Sequence, residues 1–266
     1  MKQRVMTGVL GASLFLIALL LGRWIYIGFV FLLATVAFLE YSYMQQINWR
    51  NIPILLSLLL LWSILISGLA SYQIIPPLPF LQEPNNLLIG MIILFTLILL
   101  SGNRFDVHQM AYLFVGALYI GYGFSYMLQT IWKINGLFLT LFILLVTWAN
   151  DTGAYFIGKH FGKRKLWPAI SPNKTLEGSV AGIGMGVILG VILTFVFPSL
   201  GSFTTTLTLA LLITLVGQMG DLIESSWKRT IGVKDSGTIL PGHGGILDRF
   251  DSLLFSFIIL HLFYLI

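Results

Sequence analysis

Apolar runs, most of them long enough to cross a bilayer as a helix, follow one another along this chain with only short polar breaks. A hydrocarbon core needs about 20 apolar residues per helix. In lipid, only helices and closed barrels can satisfy every backbone polar group. On that ruler nine runs stand out, at 5–21, 24–43, 52–72, 87–100, 107–128, 137–157, 179–197, 204–225 and 247–266, of which the first, fourth and seventh are short. A hydrophobic content of 57% and a mean hydropathy of +0.92 lie far above a soluble domain. The expected fold is therefore an all-α polytopic integral membrane protein of about nine transmembrane helices. About five N-terminal spans (1–136) precede a C-terminal transmembrane region (137–266) in which the chemistry is expected. The chain lacks cysteine, which excludes a disulfide framework and thiolate chemistry. Its first 22 residues imitate a secretory signal, but no small-x-small cleavage site follows, so they are read as a retained first span.

Nine spans sort the basic residues to one side. Thirteen of the Lys and Arg residues, from Lys2 and Arg4 to Arg249, share that side, whereas the other holds only Arg23 and Lys133. The positive-inside rule then places the N-terminus in the cytoplasm, together with two long polar loops, 158–178 and 226–246. The proline-rich segment 71–86 falls on the opposite side as an interfacial loop without chemistry. No internal repeat is evident, which argues against an inverted-repeat transporter.

Ionisable groups on membrane helices are costly and usually face the bundle interior. Glu40, Asp151, Asp221 and Glu224 qualify. Glu40 stands apart in the second span, and the sequence leaves two readings open, an interhelical hydrogen bond or a site role. Asp151 is flanked by Asn150. Asp221 and Glu224, three apart, share a helix face with Gln218 one turn earlier. Asp248 and Asp251 repeat the spacing at the start of the last span, where acidic groups also favour the helix dipole. In the loop 158–178, Lys163, Arg164 and Lys165 suit anionic headgroups. Lys174, with the turn around Ser171 and Thr175 and with Glu177 nearby, suits a phosphate at a helix start.

The densest polar stretch, 218–251, holds five acidic residues, four basic residues and His243 in a chain that is only 9% charged. Gly242, Gly244 and Gly245 allow close backbone approach to a ligand. His243 reads either as a donor to phosphate or as a structural turn residue. Hard carboxylates such as Asp221 and Asp248 suit Mg2+, which keeps few protein ligands and shares substrate phosphates. The pattern describes metal-dependent phosphate chemistry at a membrane surface.

Twenty-seven consecutive residues make the reading sharper: Ser225-x-Trp227-Lys228-Arg229, then Lys234-Asp235, then Pro241-Gly242-His243-Gly244-Gly245-Ile246-x-Asp248-Arg249-x-Asp251. This stretch resembles the signature of the phosphatidate cytidylyltransferases, or CDP-diacylglycerol synthases. Trp227 departs from it, standing where Phe or an aliphatic residue is expected. The segments 149–155 (ANDTGAY) and 171–178 (SPNKTLEG) resemble the family as well, whereas the first 140 residues do so only as hydrophobic spans. The resemblance implies transfer of CMP from CTP to phosphatidate, with Mg2+ required and a homodimer as the assembly. On that basis Asp221 and Asp248 would hold Mg2+, with a second cation able to bridge them. Lys228, Arg229, Lys234 and Arg249 would clamp phosphates. Asp151, Glu177, Asp235 and Asp251 would orient those cations or complete the metal shell. Asn150, Ser171, Lys174, Thr175, Gln218, Glu224, Gly244 and Gly245 would line the substrate site, and His243 would assist at phosphate. The partners expected are CTP, phosphatidate and the bilayer, with no nucleic acid, and the compact length suits a bacterial inner membrane. Two competing activities are a CTP-dependent lipid kinase and an ion-coupled secondary transporter.

Overall fold

The computed structural model describes residues 2–47, 52–240, 242, 244–263 and 265–266. Among them, nine α-helices occupy the nine apolar runs: α1 (Lys2–Leu21), α2 (Arg23–Met44), α3 (Ile52–Ser71), α4 (Asn85–Leu100), α5 (Val107–Trp132), α6 (Gly136–Phe161), α7 (Leu176–Val196), α8 (Phe203–Ile231) and α9 (Leu247–Leu262). Among the described residues six helices, α2, α3 and α5 to α8, are long and apolar enough to cross a membrane. The protein is an integral membrane protein of the all-α class.

Two details differ from the expectation. The segment 158–178 is not an irregular loop. Helix α6 continues to Phe161, and an antiparallel hairpin follows, β1 (Lys165–Trp167) and β2 (Ser171–Thr175), with Lys165 opposite Thr175 and Trp167 opposite Ser171. Helix α7 then begins directly, because the Thr175 hydroxyl accepts the Gly178 N–H at 3.2 Å as its N-cap. The segment 226–246 is likewise helical at its start. Helix α8 runs to Ile231 and ends where Gly232 turns left-handed (φ 82°). The Gly232 N–H then meets the Arg229 carbonyl, and the Val233 N–H meets that of Lys228 at 2.9 Å. This double bond pattern, with glycine at the left-handed position, closes a helix. Lys228 and Arg229 therefore project from the last turn of a helix rather than from a loop.

The chain forms two compact units. The first contains residues 1–129 and 235–249, and the second contains residues 130–234 and 250–266. In the first, Tyr26, Phe38, Tyr41, Leu61, Ile64, Leu65, Leu113 and Phe124 form a buried core. Tyr41 of α2 and Tyr112 of α5 stack with ring centroids 4.1 Å apart, and each hydroxyl donates to the other residue's carbonyl, at 3.1 and 2.7 Å. In the second, Phe142, Ile143, Val146, Ala210, Ile213, Leu254 and Phe257 are buried. Gly178, Gly182, Gly186 and Gly190, four apart on one face of α7, are buried against α6 and α8. A Cβ on Gly182 would sit 2.7 Å from the Asn150 carbonyl oxygen, whereas one on Gly184 would meet nothing within 4 Å. Small residues at one-turn spacing let backbones approach closely, and this approach brings the polar side chains of α6, α7 and α8 together.

Candidate active site

In the second unit the centre of the polar cluster is Gln218, buried on α8. Its side-chain N–H groups donate to Asn150 Oδ1 of α6 at 2.8 Å and to the Ser179 carbonyl of α7 at 3.0 Å. Its Oε1 accepts from the Ser179 hydroxyl. One amide thus ties three helices with its donors and acceptor satisfied, as a buried amide requires. Asn150 in turn donates to Asp151 Oδ1 at 3.2 Å, and Asp151 is exposed.

Next to this brace lies an ion pair. Lys174 of β2 reaches α8, where its ammonium lies 2.6 Å from Asp221 Oδ2 and donates to the Gln218 carbonyl at 3.4 Å. The other oxygen of Asp221 accepts from Ser225 at 3.4 Å. The Asp221 side chain is 37% exposed, so it is not sealed inside the helix bundle. The hairpin is what places Lys174 there. Glu177, in the first turn of α7, accepts the backbone N–H groups of Lys163 (3.0 Å) and Arg164, while Leu176 N–H donates to the Arg164 carbonyl. Glu177 thus holds the hairpin's entry strand by its backbone. Ser171 is used in strand pairing with Trp167, and Thr175 in capping.

One turn further along α8, Glu224 and Lys228 form a buried pair at 2.7 Å, with side-chain exposures of 0% and 10%. Arg229 is exposed and donates to the Ile170 carbonyl of the hairpin turn at 3.3 Å and to the Val233 carbonyl at 3.2 Å. Lys234 is exposed. From α9, buried Asp251 feels the negative charges of Asp221, Glu224 and Asp151. The second unit therefore gathers four carboxylates against the cations of Lys174 and Lys228, with Arg229 at the rim.

The first unit contains the glycine-rich part of the signature. Asp248 Oδ2 accepts three hydrogen bonds, from the Ser236 N–H and hydroxyl at 2.9 Å each and from the Gly245 N–H at 2.7 Å. Leu240 N–H donates to the Gly244 carbonyl at 3.0 Å, folding the chain back on itself. A Cβ on Gly244 or Gly245 would run into Asp248 or Ser236. These glycines therefore serve the loop's own close packing. Asp235 and Arg249 are exposed at its edges. His243 and Pro241 lie outside the described residues.

Glu40, left open by the sequence, belongs to this unit: its Oε2 accepts the Leu247 N–H at the start of α9, at 3.0 Å. Sequence reasoning missed Ser179 and Ser236, and it read Ser225 only as the first residue of the signature, without a contact of its own. Each is a small hydroxyl whose partner comes from the fold or one helical turn away, and only Ser225, four residues after Asp221, could have been found from spacing.

As to Mg2+, no group of three or more His, Asp or Glu side chains able to hold a metal occurs among the described residues. The donors are hard oxygens, and Asp221 is accessible. That suits an ion held by one or two carboxylates and completed by substrate phosphates.

The family model described as "Cytidylyltransferase family" matches residues 2–266. The phosphatidate cytidylyltransferase of Bacillus subtilis is 39% identical over 257 residues, covering 96% of this chain and 94% of that protein. That of Staphylococcus saprophyticus is 41% identical over 259 residues, covering 96% and 95%. That of Staphylococcus epidermidis is 40% identical over 255 residues, with the same coverage.

Proposed function

This chain belongs to the cytidylyltransferase family, and from that membership we propose that it is a phosphatidate cytidylyltransferase. A phosphate oxygen of phosphatidate attacks the α-phosphorus of CTP, the bond to the β-phosphate breaks, and CDP-diacylglycerol and pyrophosphate leave. The observation that carries this reading is the match along nearly the whole chain to relatives bearing that one name. The arrangement of the second unit supports it. Two anions must meet, so the reaction needs charge neutralisation and alignment more than proton transfer. On this reading Lys174, beside Asp221, and Arg229, beside the hairpin turn, would bind phosphate. The buried Gln218 brace fixes the helix that bears Asp221.

The sequence motif assigns Mg2+ to Asp221 and Asp248, where it would neutralise charge on the departing pyrophosphate. Lys234 and Arg249 complete the proposed clamp, whereas Lys228, expected there as well, is buried against Glu224 and is read as its counter-ion. We further propose that all nine helices cross the plasma membrane of a bacterium, that the N-terminus and the hairpin face the cytoplasm, and that the protein acts as a homodimer. Water-soluble CTP and lipid-bound phosphatidate would meet at such a surface.

The test is product analysis with purified protein, phosphatidate in mixed micelles, Mg2+ and CTP labelled at the α-phosphate. Label should enter the lipid, pyrophosphate should be released, and chelation should abolish the reaction until Mg2+ is restored. Label entering lipid only from γ-labelled CTP would refute the proposal in favour of a kinase. Activity unaffected by chelation would refute the metal assignment alone.

A further inference from the structure

We infer that Glu40, on a helix outside the signature, is a positioning residue for the glycine-rich loop; its importance for turnover rests on the functional reading above. Glu40 is 3% exposed on α2, a helix of otherwise apolar and aromatic character. Its Oε2 takes the Leu247 N–H, an N-terminal helix donor that has no partner within α9. The other oxygen, Oε1, is buried without a hydrogen bond.

The same carboxylate lies under two loop glycines. A Cβ on Gly237 would come within 2.6 Å of Oε1, and one on Gly245 would collide with Oε2. The loop backbone therefore rests directly on the Glu40 head group. On the far side of that contact, Asp248 gathers Ser236 and Gly245. Two carboxylates, one from α2 and one from α9, thus hold the described parts of 235–248 between them. The register of α2 is fixed one residue further on, where Tyr41 stacks on Tyr112 and its ring lies against Gly116. A buried carboxylate is an expensive way to make a helix contact. An apolar side chain would pack α2 at less cost, but it could not accept the Leu247 N–H.

The test uses full-length protein in lipid micelles and compares wild type with Glu40→Ala, Glu40→Gln, Gly237→Ala and the Glu40→Ala/Gly237→Ala double variant. Two readouts are taken: kcat/KM for CTP, and amide hydrogen exchange in peptides covering 235–240 and 244–250, with the hairpin 165–175 as internal control. Glu40→Ala should lower kcat/KM at least tenfold and speed loop exchange at least tenfold, leaving hairpin exchange unchanged. Gln keeps an acceptor for Leu247 and should restore most of both. Gly237→Ala should reproduce the defect, because its methyl pushes on Oε1. In the Glu40→Ala background the same change should cost little more, since the obstruction is gone. Wild-type exchange in Glu40→Ala, or faster loop exchange with undiminished turnover, would overturn the inference. If Glu40→Ala does not fold, Gly237→Ala alone decides, and wild-type behaviour there would overturn it. Should wild-type protein make no labelled lipid, the functional reading fails, while the exchange comparison still decides whether Glu40 holds the loop.

Discussion

Replacing Lys228 by Met separates two roles that one lysine in the signature could have. Its ammonium lies 2.7 Å from Glu224, and the two side chains are 10% and 0% exposed. At an effective dielectric of about 20, charges at that distance attract by roughly 6 kcal/mol, before the cost of desolvating them is counted. That cost offsets much of the gain. Removing one partner nevertheless leaves the desolvation of the other uncompensated, and such changes typically destabilise by about 3–5 kcal/mol. Lys228→Met should therefore lower unfolding stability by that amount, about two to three and a half decades in the folding equilibrium. Replacing both residues, Glu224→Leu with Lys228→Met, should recover most of the loss. The assay is graded SDS unfolding in mixed micelles, followed by tryptophan fluorescence, with cytidylyl transfer measured on the folded fraction. Lys228→Met with wild-type stability and abolished turnover would refute the argument. The ammonium would then act on a phosphate rather than as the counter-ion of Glu224.

Asp221→Asn should reduce cytidylyl transfer at least a hundredfold in protein that still inserts and purifies normally, since it removes an accessible carboxylate from Lys174 and from the proposed metal; labelled-lipid formation measures it. Gly182→Leu should destabilise the protein by several kcal/mol through overpacking against the Asn150 carbonyl, whereas Gly184→Leu, on an open face, should stay within about 0.5 kcal/mol of wild type in the same SDS titration. Thr175→Val removes the α7 cap and should cost about 1 kcal/mol, with faster hydrogen exchange at the Gly178 amide.

Hydropathy made the helices legible, because a helix in lipid must carry an apolar surface along its whole crossing. It did not make their ends legible. The apolar pattern of α8 stops near Ser225, but its hydrogen bonding stops only where Gly232 turns left-handed. The hairpin was hidden for a related reason. Ser171–Thr175 contains Pro and Asn, which read as loop, and it is a strand because Lys165 and Trp167 pair with it and Glu177 holds the preceding backbone. At the site, the i, i+4 relation of Glu224 and Lys228 was open to inspection, but not their burial. Asp248 was placed correctly in the first turn of a helix, yet three donors from 236 and 245 gathered on one of its oxygens could not be foreseen from its neighbours. Glu40 was undecidable from sequence, because its partner is distant in the chain and no periodicity encodes it.

The distance from Glu40 to Leu247 also sets a clock on biogenesis. The two residues are 207 positions apart, and at about 5–20 residues per second a ribosome needs roughly 10–40 s to travel from one codon to the other. During that interval α2 is already leaving the insertion machinery with a carboxylate whose donor has not been synthesised. The N-terminal helices therefore start first and finish last, their assembly sealed only when the penultimate stretch of the polypeptide emerges.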